Sequence, residues 1–593
     1  MNANKILSSL FASACVLCGC QSSVIKESNE LRQLFADAWE YRLTDNPLFA
    51  TRVGDHRGND KLPSRTIASA ERRATAYRKF IVRLERIDRD QLAPGGRTNY
   101  DIFKRTLEES LAEHEFHSYL MPITNRSGFH IFFPELPKQV PLESVRDYEN
   151  YTARLRGFKV YVDQYIERMR KGVETGYVLP RIVLDGFEGS ITPHIVEDPT
   201  KSLLYVPFDN FPDVINENDR RRLQSAAREA IATSVVAGYR NLLEFMRAEY
   251  VPGARATIAA SDLPNGKAFY EHRVRLFTTL DITPAEVHAI GQSEVVRIKE
   301  EMLRVIRDAK FTGDFGQFLE FLRTDEQFYV DDATDLLKEA AYILKRMDGK
   351  LPQLFGNIPR IPYGLEEIPA YIAPKTTTAY YSRPSGDGTK AGIYSLNTYD
   401  LKSRPIYELE SLSLHEAVPG HHLQIALQQE LEGLPEFRRF TGFTAFVEGW
   451  ALYAERLGLE VGFYDDHYSN FGRLTYEMWR ACRLVVDTGI HSMGWTRQQA
   501  INFMADNTAL TLHNITTEVD RYIAWPAQAL AYKMGELKIR GLREKAETSL
   551  GKRFDIRKFH DVVLGSGSVP LPVLEANINA YIRQVMAHPE IDS

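Results

Sequence analysis

The sequence is poor in cysteine, and the few cysteines it has lie almost entirely at its beginning. Of four cysteines in 593 residues, three fall at positions 15, 18 and 20, and the rest of the chain holds only Cys482. A body with one cysteine has no internal disulfide and no cysteine cluster for a metal. Its stability must therefore come from a large apolar core, in which we expect Cys482 to be a small buried side chain.

The chain also lacks a surplus of charge of one sign. Lys plus Arg total 73 against 79 Asp plus Glu, a net charge of -6, so the charge balance does not favour a nucleic acid partner. Hydrophobic residues make up 44% and charged residues 26%, as in an ordinary globular protein. The length allows more than one domain, but no linker of biased composition divides the body.

The first twenty residues have the pattern of a secretory leader. Lys5 precedes an apolar run over residues 6–16, which is shorter than the about 20 residues that a membrane-spanning helix needs. Leu-Cys-Gly-Cys at 17–20 then resembles the lipobox of bacterial lipoproteins, although a small residue other than Cys18 is more usual there. The resemblance implies acylation of Cys20, and Gln21 after it implies the outer membrane, facing the periplasm. The alternative is an ordinary cleaved signal with a chance cysteine.

The chain is accordingly divided into a lipoprotein signal peptide (1–20), a linker (21–30) and one large catalytic region (31–593). We expect this region to form an N-terminal helical lobe over about 31–255 and a metal-site lobe over about 256–593. Contact with the membrane is expected through the N-terminal lipid anchor alone. The sequence does not indicate an oligomeric state.

Most of the body has the apolar spacing of helices. Apolar residues recur every three or four positions in segments 28–43, 66–88, 97–117, 145–174, 218–248 and 283–308. Thr283-Pro284-Ala285-Glu286 indicates a helix start, with Thr as the N-cap, Pro in the first turn and Glu three residues on. The pattern predicts a mainly α, two-lobed fold.

Residues 360–400 differ from the rest, since Pro, Tyr, Thr and Gly are frequent there. Residues 379–382 and 392–396 alternate like two strands, and Ser385-Gly386-Asp387-Gly388 between them is a suitable hairpin loop. We therefore predict one small sheet that precedes the segment with the strongest chemical signal.

That signal is the segment LHEAVPGHHLQ at 414–424. An imidazole, an adjacent carboxylate and a second imidazole one helical turn away form a zinc site with its own general base. Here the later histidines, His421 and His422, follow His415 by six and seven positions. On an unbroken helix they would lie about 9 and 10.5 Å along the axis from His415. That is too far for bonds of about 2.0–2.1 Å to one metal.

Pro419 and Gly420 interrupt the helix between the histidines. Proline removes a backbone donor and pushes Val418 out of the helical region, and glycine tolerates the resulting bend. If two residues bulge out, His421 takes the place of the second ligand, and if three do, His422 takes it. We favour His421 and keep His422 as the alternative metal ligand.

A third ligand is expected in FVEGWALYAE at 446–455. Glu448 is an acidic residue in an apolar, aromatic run, and such a residue is rarely left unpaired. Gly449 beside it allows a neighbouring helix to approach closely. Glu455, two turns on, either supports the ligands from behind or lies at the surface.

HEAVPGHHLQ and FVEGWALYAE together resemble the bacterial envelope proteins grouped as domain-of-unknown-function family 885, over most of the mature chain. These in turn resemble gluzincin metallopeptidases of the thimet oligopeptidase and thermostable carboxypeptidase type. The resemblance implies a zincin-like fold, one Zn2+ held by His415, His421 and Glu448, and Glu416 as the general base. The two-residue expansion between the histidines departs from the pattern of those peptidases.

Further residues are expected around the metal. An extended peptide substrate would pair with the edge of the hairpin, beside Tyr380, Tyr381 and Tyr394. A tetrahedral intermediate needs a donor opposite the zinc, for which the candidates are Arg521, Tyr522 and Tyr532. Arg521 is also suited to hold a substrate carboxylate through two parallel hydrogen bonds.

These features favour a zinc metallopeptidase that hydrolyses short peptides at the cell envelope. One alternative is a zinc amidohydrolase acting on cell-wall peptides or other amides, since it would use the same zinc and Glu416 chemistry. Another is a lipoprotein that binds a ligand without catalysis. The irregular histidine spacing supports this last reading, whereas the presence of Glu416 counts against it.

Overall fold

The structure is a computed structural model that describes residues 29–587 except for positions 125, 371 and 387. The predicted signal peptide with Cys20, linker residues 21–28 and Asp387 of the hairpin loop lie outside the described residues. Asn29 and Glu30, which were assigned to the linker, are instead the first residues of a helix.

Helices make up the first part of the chain. They are α1 (Asn29–Asp45), α2 (Pro47–Arg52), α3 (Ile67–Leu84), α4 (Pro94–Glu115), α5 (Phe129–Phe132), α6 (Leu136–Gln139), α7 (Val145–Thr175), α8 (Glu217–Ala230), α9 (Val236–Phe245) and α10 (Val251–Gly253). Two π-helical turns, Ile231–Val235 and Met246–Tyr250, join the last three into one continuous rod.

A second helical series leads to a small sheet. It comprises α11 (Gly266–Thr278), α12 (Pro284–Asp308), α13 (Phe315–Thr324), α14 (Ala333–Asp348) and α15 (Leu351–Leu354), followed by β1 (Tyr363–Glu367), β2 (Ala379–Ser382) and β3 (Gly392–Leu396). Thr283 caps α12 as predicted: its side chain accepts from the Glu286 amide, and the Glu286 carboxylate accepts from the Thr283 amide.

Helices return after the sheet and continue to the end of the described chain. They are α16 (Leu409–Glu416), α17 (His421–Glu430), α18 (Glu436–Arg439), α19 (Thr444–Leu457), α20 (His467–Ser492), α21 (Arg497–Ala505), α22 (Leu512–Ala524), α23 (Ala531–Leu550), α24 (Ile556–Leu564) and α25 (Leu571–Ala587). The prediction of a mainly α fold with one small sheet is confirmed.

The sheet has three strands in the order β1-β3-β2. β2 and β3 pair antiparallel, with Tyr380 opposite Ser395 and Tyr381 opposite Tyr394. β1 pairs parallel with β3 and was not predicted. In the part of the chain that the structure describes, no strand pairs with the outer edge of β2.

One connected set of buried apolar side chains runs from Leu31 to Ile582. Helix α20 lies deep within it, since every residue from Phe471 to His491 is buried, including Cys482. A helix that is covered on all sides is the central element of a large core. The boundary between two lobes near residue 255 stays a prediction.

Helices α19 and α23 touch through their backbones. A Cβ on Gly535 would lie 1.8 Å from the carbonyl oxygen of Ala445, and one on Gly449 would lie 2.5 Å from Cα of Gly535. Only glycine fits at such a contact. The helix that carries Glu448 is therefore held directly against the helix that carries Tyr532.

Within residues 29–587, none of the helices that the structure describes is long and apolar enough to cross a membrane.

Candidate metal centre

The histidine motif is split between two helices. Helix α16 ends at Glu416 and α17 begins at His421, so residues 417–420 form a loop that contains a cis Val418–Pro419 bond. Helix α19 holds this loop, because the indole Nε1 of Trp450 donates a 2.9 Å hydrogen bond to the carbonyl oxygen of Pro419. The interruption lies where Pro419 and Gly420 predicted it.

Gly420 folds the loop back on the end of α16. A Cβ at this position would lie 1.9 Å from the carbonyl oxygen of His415 and 2.4 Å from that of Leu414. Because no side chain fits there, only glycine permits this return of the backbone. The first residue of α17, His421, is thereby placed beside the last turn of α16.

The loop brings His421 next to His415, and α19 brings Glu448 to both. Their ligand atoms all lie within 4.8 Å of one another. Oε2 of Glu448 is 3.3 Å from Nε2 of His421 and 3.7 Å from Nε2 of His415. The two imidazole rings are nearly perpendicular, at 84°, so their nitrogens approach the carboxylate from different directions.

This cluster fits a zinc ion. Oε2 of Glu448 is buried and receives no hydrogen bond from any residue that the structure describes. A buried carboxylate oxygen without a donor is costly, and a cation held jointly with two imidazole nitrogens would satisfy it. Two histidines and one glutamate, with a fourth position open, are the ligand set of a catalytic zinc site. The ligand roles of His415, His421 and Glu448 stay predictions.

A buried carboxylate holds the ring of His415 from behind. Oε1 of Glu455 lies 2.7 Å from Nδ1 of His415, and its Oε2 accepts a 2.7 Å hydrogen bond from Ser411. Arg480 lies 3.3 Å from the same carboxylate. Because Nδ1 is engaged in this way, Nε2 of His415 is turned toward Glu448, an arrangement that also makes an imidazole a better ligand. Glu455 is therefore a supporting residue and not a surface one.

Glu455→Gln is expected to lower the affinity for zinc by about 10- to 100-fold, because loss of such an outer partner weakens the ligand that it orients. Competition with a chromophoric chelator measures this affinity. Glu544→Gln, an equal change at an exposed position of α23, is the control. An unchanged affinity in Glu455→Gln would contradict the supporting role.

The cluster perturbs the ionisation of its members. Burial disfavours the charged form of His415, but the carboxylates of Glu448 and Glu455 outweigh it and raise the pKa of His415 to about 9. Burial alone would raise the pKa of Glu448, yet the imidazoles of His421 and His415 hold it well below its usual range. Burial raises the pKa of Glu416, and the two imidazoles only partly offset this effect. Glu416 is thus a carboxylate with increased proton affinity beside the cluster.

His422 points away from the cluster. Its Nδ1 lies 2.8 Å from the hydroxyl of Tyr381 and its Nε2 lies 3.1 Å from the carbonyl oxygen of Ile361. Burial lowers the pKa of His422 to about 4. Since both ring nitrogens have partners elsewhere, the structure brings His421, and not His422, to His415 and Glu448.

The predicted substrate-binding tyrosines divide into two groups. Tyr380 and Tyr381 are half-buried on the free edge strand, and the ring of Tyr381 lies 6.5 Å from that of His421. Tyr394 lies on the central strand and is 0% exposed, so it packs beneath the site and does not line it. The difference arises because β1, which was not predicted, makes β3 the middle strand.

Tyr532 lies near the cluster, whereas Tyr522 does not. The half-buried ring of Tyr532 is nearly parallel to that of His415, with 6.4 Å between the centroids. The hydroxyl of Tyr522 is buried and accepts hydrogen bonds from Trp479 and Arg483, both at 3.0 Å. Tyr522 is therefore a core residue and is not positioned to act as a donor to substrate.

Arg521 belongs to a buried charge cluster that the sequence did not reveal. Glu518 is fully buried and forms ion pairs with Arg521 at 2.9 Å, Arg483 at 3.1 Å and Arg126 at 3.2 Å. These guanidinium groups lower the pKa of Glu518 to about 2 against the effect of burial. Arg521 also lies 3.4 Å from the Tyr532 hydroxyl, which places it within reach of the site.

Fold and site together define a large helical protein with a small sheet and a buried His-His-Glu cluster at an interrupted histidine motif. The chain belongs to the family described as "Bacterial protein of unknown function (DUF885)", whose model matches residues 47–578.

Several solved structures are similar to the chain, among them the following two. The "putative lipoprotein" from Colwellia psychrerythraea has 26% sequence identity and a TM-score of 0.88, with 95% of this chain and 100% of that chain covered. A "putative lipoprotein of unknown function" from Shewanella oneidensis has 18% identity and a TM-score of 0.65, with 94% and 99% covered, and shows a shared fold. No curated protein matches the chain.

Proposed function

We propose that the protein is a zinc-dependent peptidase of the bacterial cell envelope. The observation that carries the proposal is the buried cluster of His415, His421 and Glu448, with Glu416 next to His415 in the chain. One carboxylate oxygen of Glu448 receives no hydrogen bond from the described residues. A cluster that served packing alone would gain nothing from a second, adjacent carboxylate whose proton affinity is raised by burial. The motif's resemblance to gluzincin peptidases agrees with this assignment.

Glu416 and Tyr532 have different roles in the proposed hydrolysis. Zinc, when bound, supplies a Lewis acid and lowers the pKa of water toward about 7. The carboxylate of Glu416 accepts the proton of the attacking water and delivers it to the leaving amine. The hydroxyl of Tyr532, which Arg521 holds at 3.4 Å, donates to the oxygen of the tetrahedral intermediate.

The free edge of β2 favours a peptide as the substrate. An extended peptide pairs with an exposed strand edge through its main chain, and β2 presents such an edge one side chain away from the motif. Tyr381 connects the edge of β2 to the histidine motif, because its hydroxyl contacts His422 and its ring lies beside that of His421.

The proposed location rests on the leader and on the relatives. Cys20 ends a lipobox-like segment, and the two solved structures described above are each that of a protein called a "putative lipoprotein". We propose that acylated Cys20 anchors the protein, with Gln21 directing it to the outer membrane, facing the periplasm. Membrane fractionation after labelling with a fatty acid analogue, with Cys20→Ala as control, tests the anchor.

Removal of the metal is expected to abolish peptide hydrolysis by the leaderless protein, and one equivalent of zinc is expected to restore it. Elemental analysis gives the metal content, and mass spectrometry of a mixed peptide library gives the cleavage. Hydrolysis that survives complete removal of zinc would contradict the proposal. Stoichiometric zinc without cleavage of any peptide would also contradict it, and would favour an amidohydrolase or a binding protein.

A further inference from the structure

Three arginines from three different elements meet where β2 approaches the N-terminal helices. Arg42 lies on α1, Arg52 ends α2, and Arg383 directly follows β2. Across the described positions of 29–587, no carboxylate forms an ion pair with any of the three, and none acts on their pKa values. These residues are called the arginine triad below.

An aromatic platform holds two members of the triad in place. The guanidinium carbon of Arg42 lies 3.9 Å from the ring centroid of Phe49, and that of Arg52 lies 5.9 Å from it. Such contacts between cation and ring orient a guanidinium group without neutralising it. The platform is itself packed, because a small apolar cluster separate from the main core consists of Leu43, Phe49, Ala50 and Phe440.

The hairpin loop brings Arg383 to this platform. A Cβ on Gly386 would lie 2.9 Å from the carbonyl oxygen of Val53 and 3.3 Å from the ring of Phe440, so the loop rests on the end of α2. Arg383 directly follows β2, two residues beyond Tyr381, whose hydroxyl contacts His422. The triad therefore lies beyond the end of β2, in the direction in which a peptide paired with this strand would extend.

Burial and mutual repulsion disfavour the charged forms of the triad. Burial lowers the pKa of all three guanidinium groups, and the neighbouring arginines lower those of Arg42 and Arg383 further. All three residues are nevertheless exposed to solvent. Buried Lys533, by contrast, lies within 3.0 Å of Glu294, Glu477 and Glu536. Three like charges beside one another, without an ion pair to any carboxylate that the structure describes, indicate a place for an anion.

We propose that Arg42, Arg52 and Arg383 form a carboxylate-binding subsite for a peptide that lies along β2. The subsite selects peptides that carry an acidic side chain or a free terminal carboxylate at that point. Cleavage of such peptides rests on the proposed peptidase function, but their binding does not. Guanidinium groups suit this ligand because they form charge-assisted, paired hydrogen bonds with carboxylates.

Calorimetric binding to the Glu416→Gln protein, with zinc bound, tests the subsite without turnover. The probes are one peptide series with Glu or Gln at each position, each made with a free and with an amidated C-terminus. One acidic form is expected to bind about 10-fold or more tightly than its neutral partner, because hydrogen bonds between charged groups are stronger than those between neutral groups. A difference between the Glu and Gln peptides shows that the triad binds a side-chain carboxylate. A difference between the free and the amidated peptides shows that it binds the C-terminal carboxylate.

Arg383→Gln is expected to reduce this preference, and the combined change of Arg42, Arg52 and Arg383 to Gln is expected to abolish it. Binding of the neutral peptides should stay within about twofold, since backbone pairing with β2 remains. Circular dichroism shows whether each variant is folded, and the single change lies outside any helix. Arg304→Gln, an exposed arginine of α12, is the matched control.

Any of three results would overturn the subsite. They are equal affinity for acidic and neutral peptides, failure of every peptide to bind, and a preference that survives the combined change. A triad needed instead for binding of the leaderless protein to anionic phospholipid vesicles would also overturn it. Hydrolysis by the wild-type protein is recorded separately. A charge preference without cleavage by the wild type would refute the peptidase and leave the subsite standing.

Discussion

Glu416→Gln is expected to lower the rate of peptide hydrolysis by about 100- to 10,000-fold, the range that a positioned general acid–base group contributes. Glutamine has the size of glutamate but cannot accept the proton of the attacking water. The metal cluster should persist, because Glu416 is not among the three residues whose ligand atoms converge. The expected result is therefore an intact zinc content with almost no turnover.

Steady-state kinetics beside elemental analysis of the same samples measures both quantities. Glu432→Gln, an exposed glutamate shortly after α17, is the matched control and should retain full activity. Full activity in Glu416→Gln would remove this residue from the mechanism. Loss of zinc together with activity would make Glu416 a ligand, which its place outside the converging group argues against.

His421→Ala is expected to lose bound zinc, whereas His422→Ala is expected to keep it. His421 supplies one of the three donors at the cluster, so its loss should weaken binding by more than about 100-fold, beyond the effect of removing an outer partner. His422 instead contacts Tyr381 and the backbone of Ile361. Its removal leaves those groups unpaired, which costs about 1–3 kcal/mol of unfolding free energy.

The two neighbouring substitutions serve as controls for each other. Elemental analysis after dialysis gives the zinc content, and thermal unfolding of the metal-free proteins gives the stability. Zinc retained in His421→Ala and lost in His422→Ala would mean that three residues bulge out of the motif instead of two. Zinc retained in both would show that the ligand set lies elsewhere.

The long helices could be predicted because their signals are local. The start of α12 is encoded within four residues, Thr283 to Glu286, whose side chains cap the helix they begin. β1 gave no such signal, since Gly364, Glu366 and Glu367 interrupt any apolar alternation. Its pairing with β3 is parallel and joins strands that are not consecutive in the chain, since β2 lies between them. That missing strand also explains why Tyr394 was expected beside the substrate.

The convergence of His415, His421 and Glu448 could be predicted from the motif, but their arrangement could not be fully derived from it. Pro419 and Gly420 predict an interruption without giving its length. The return of Gly420 onto the carbonyl of His415 is a backbone contact that residue types do not reveal. Tyr522 and Tyr532 were equivalent candidates in the sequence, and only the packing of α22 turns the first into the core.

The partner of Arg126 could not be predicted from the sequence. Arg126 contacts Glu518 across 392 residues, and no local pattern links them. Arg480 and Arg483 were more accessible to prediction, because charged residues in the apolar run of α20 must find buried partners. The identity of those partners, Glu455 and Glu518, required the fold.

The glycine contact between α19 and α23 fixes the position of these two helices relative to each other. Helices that meet backbone to backbone have no side chains between them that can change rotamer, so they do not shift independently. The backbones of Glu448 and Tyr532 therefore keep their separation whatever ligand is bound. In the proposed peptidase, accommodation of different substrates would fall to the hairpin and to the helix that carries Arg42. Substitutions there would change what is bound without changing the groups that are proposed to carry out hydrolysis.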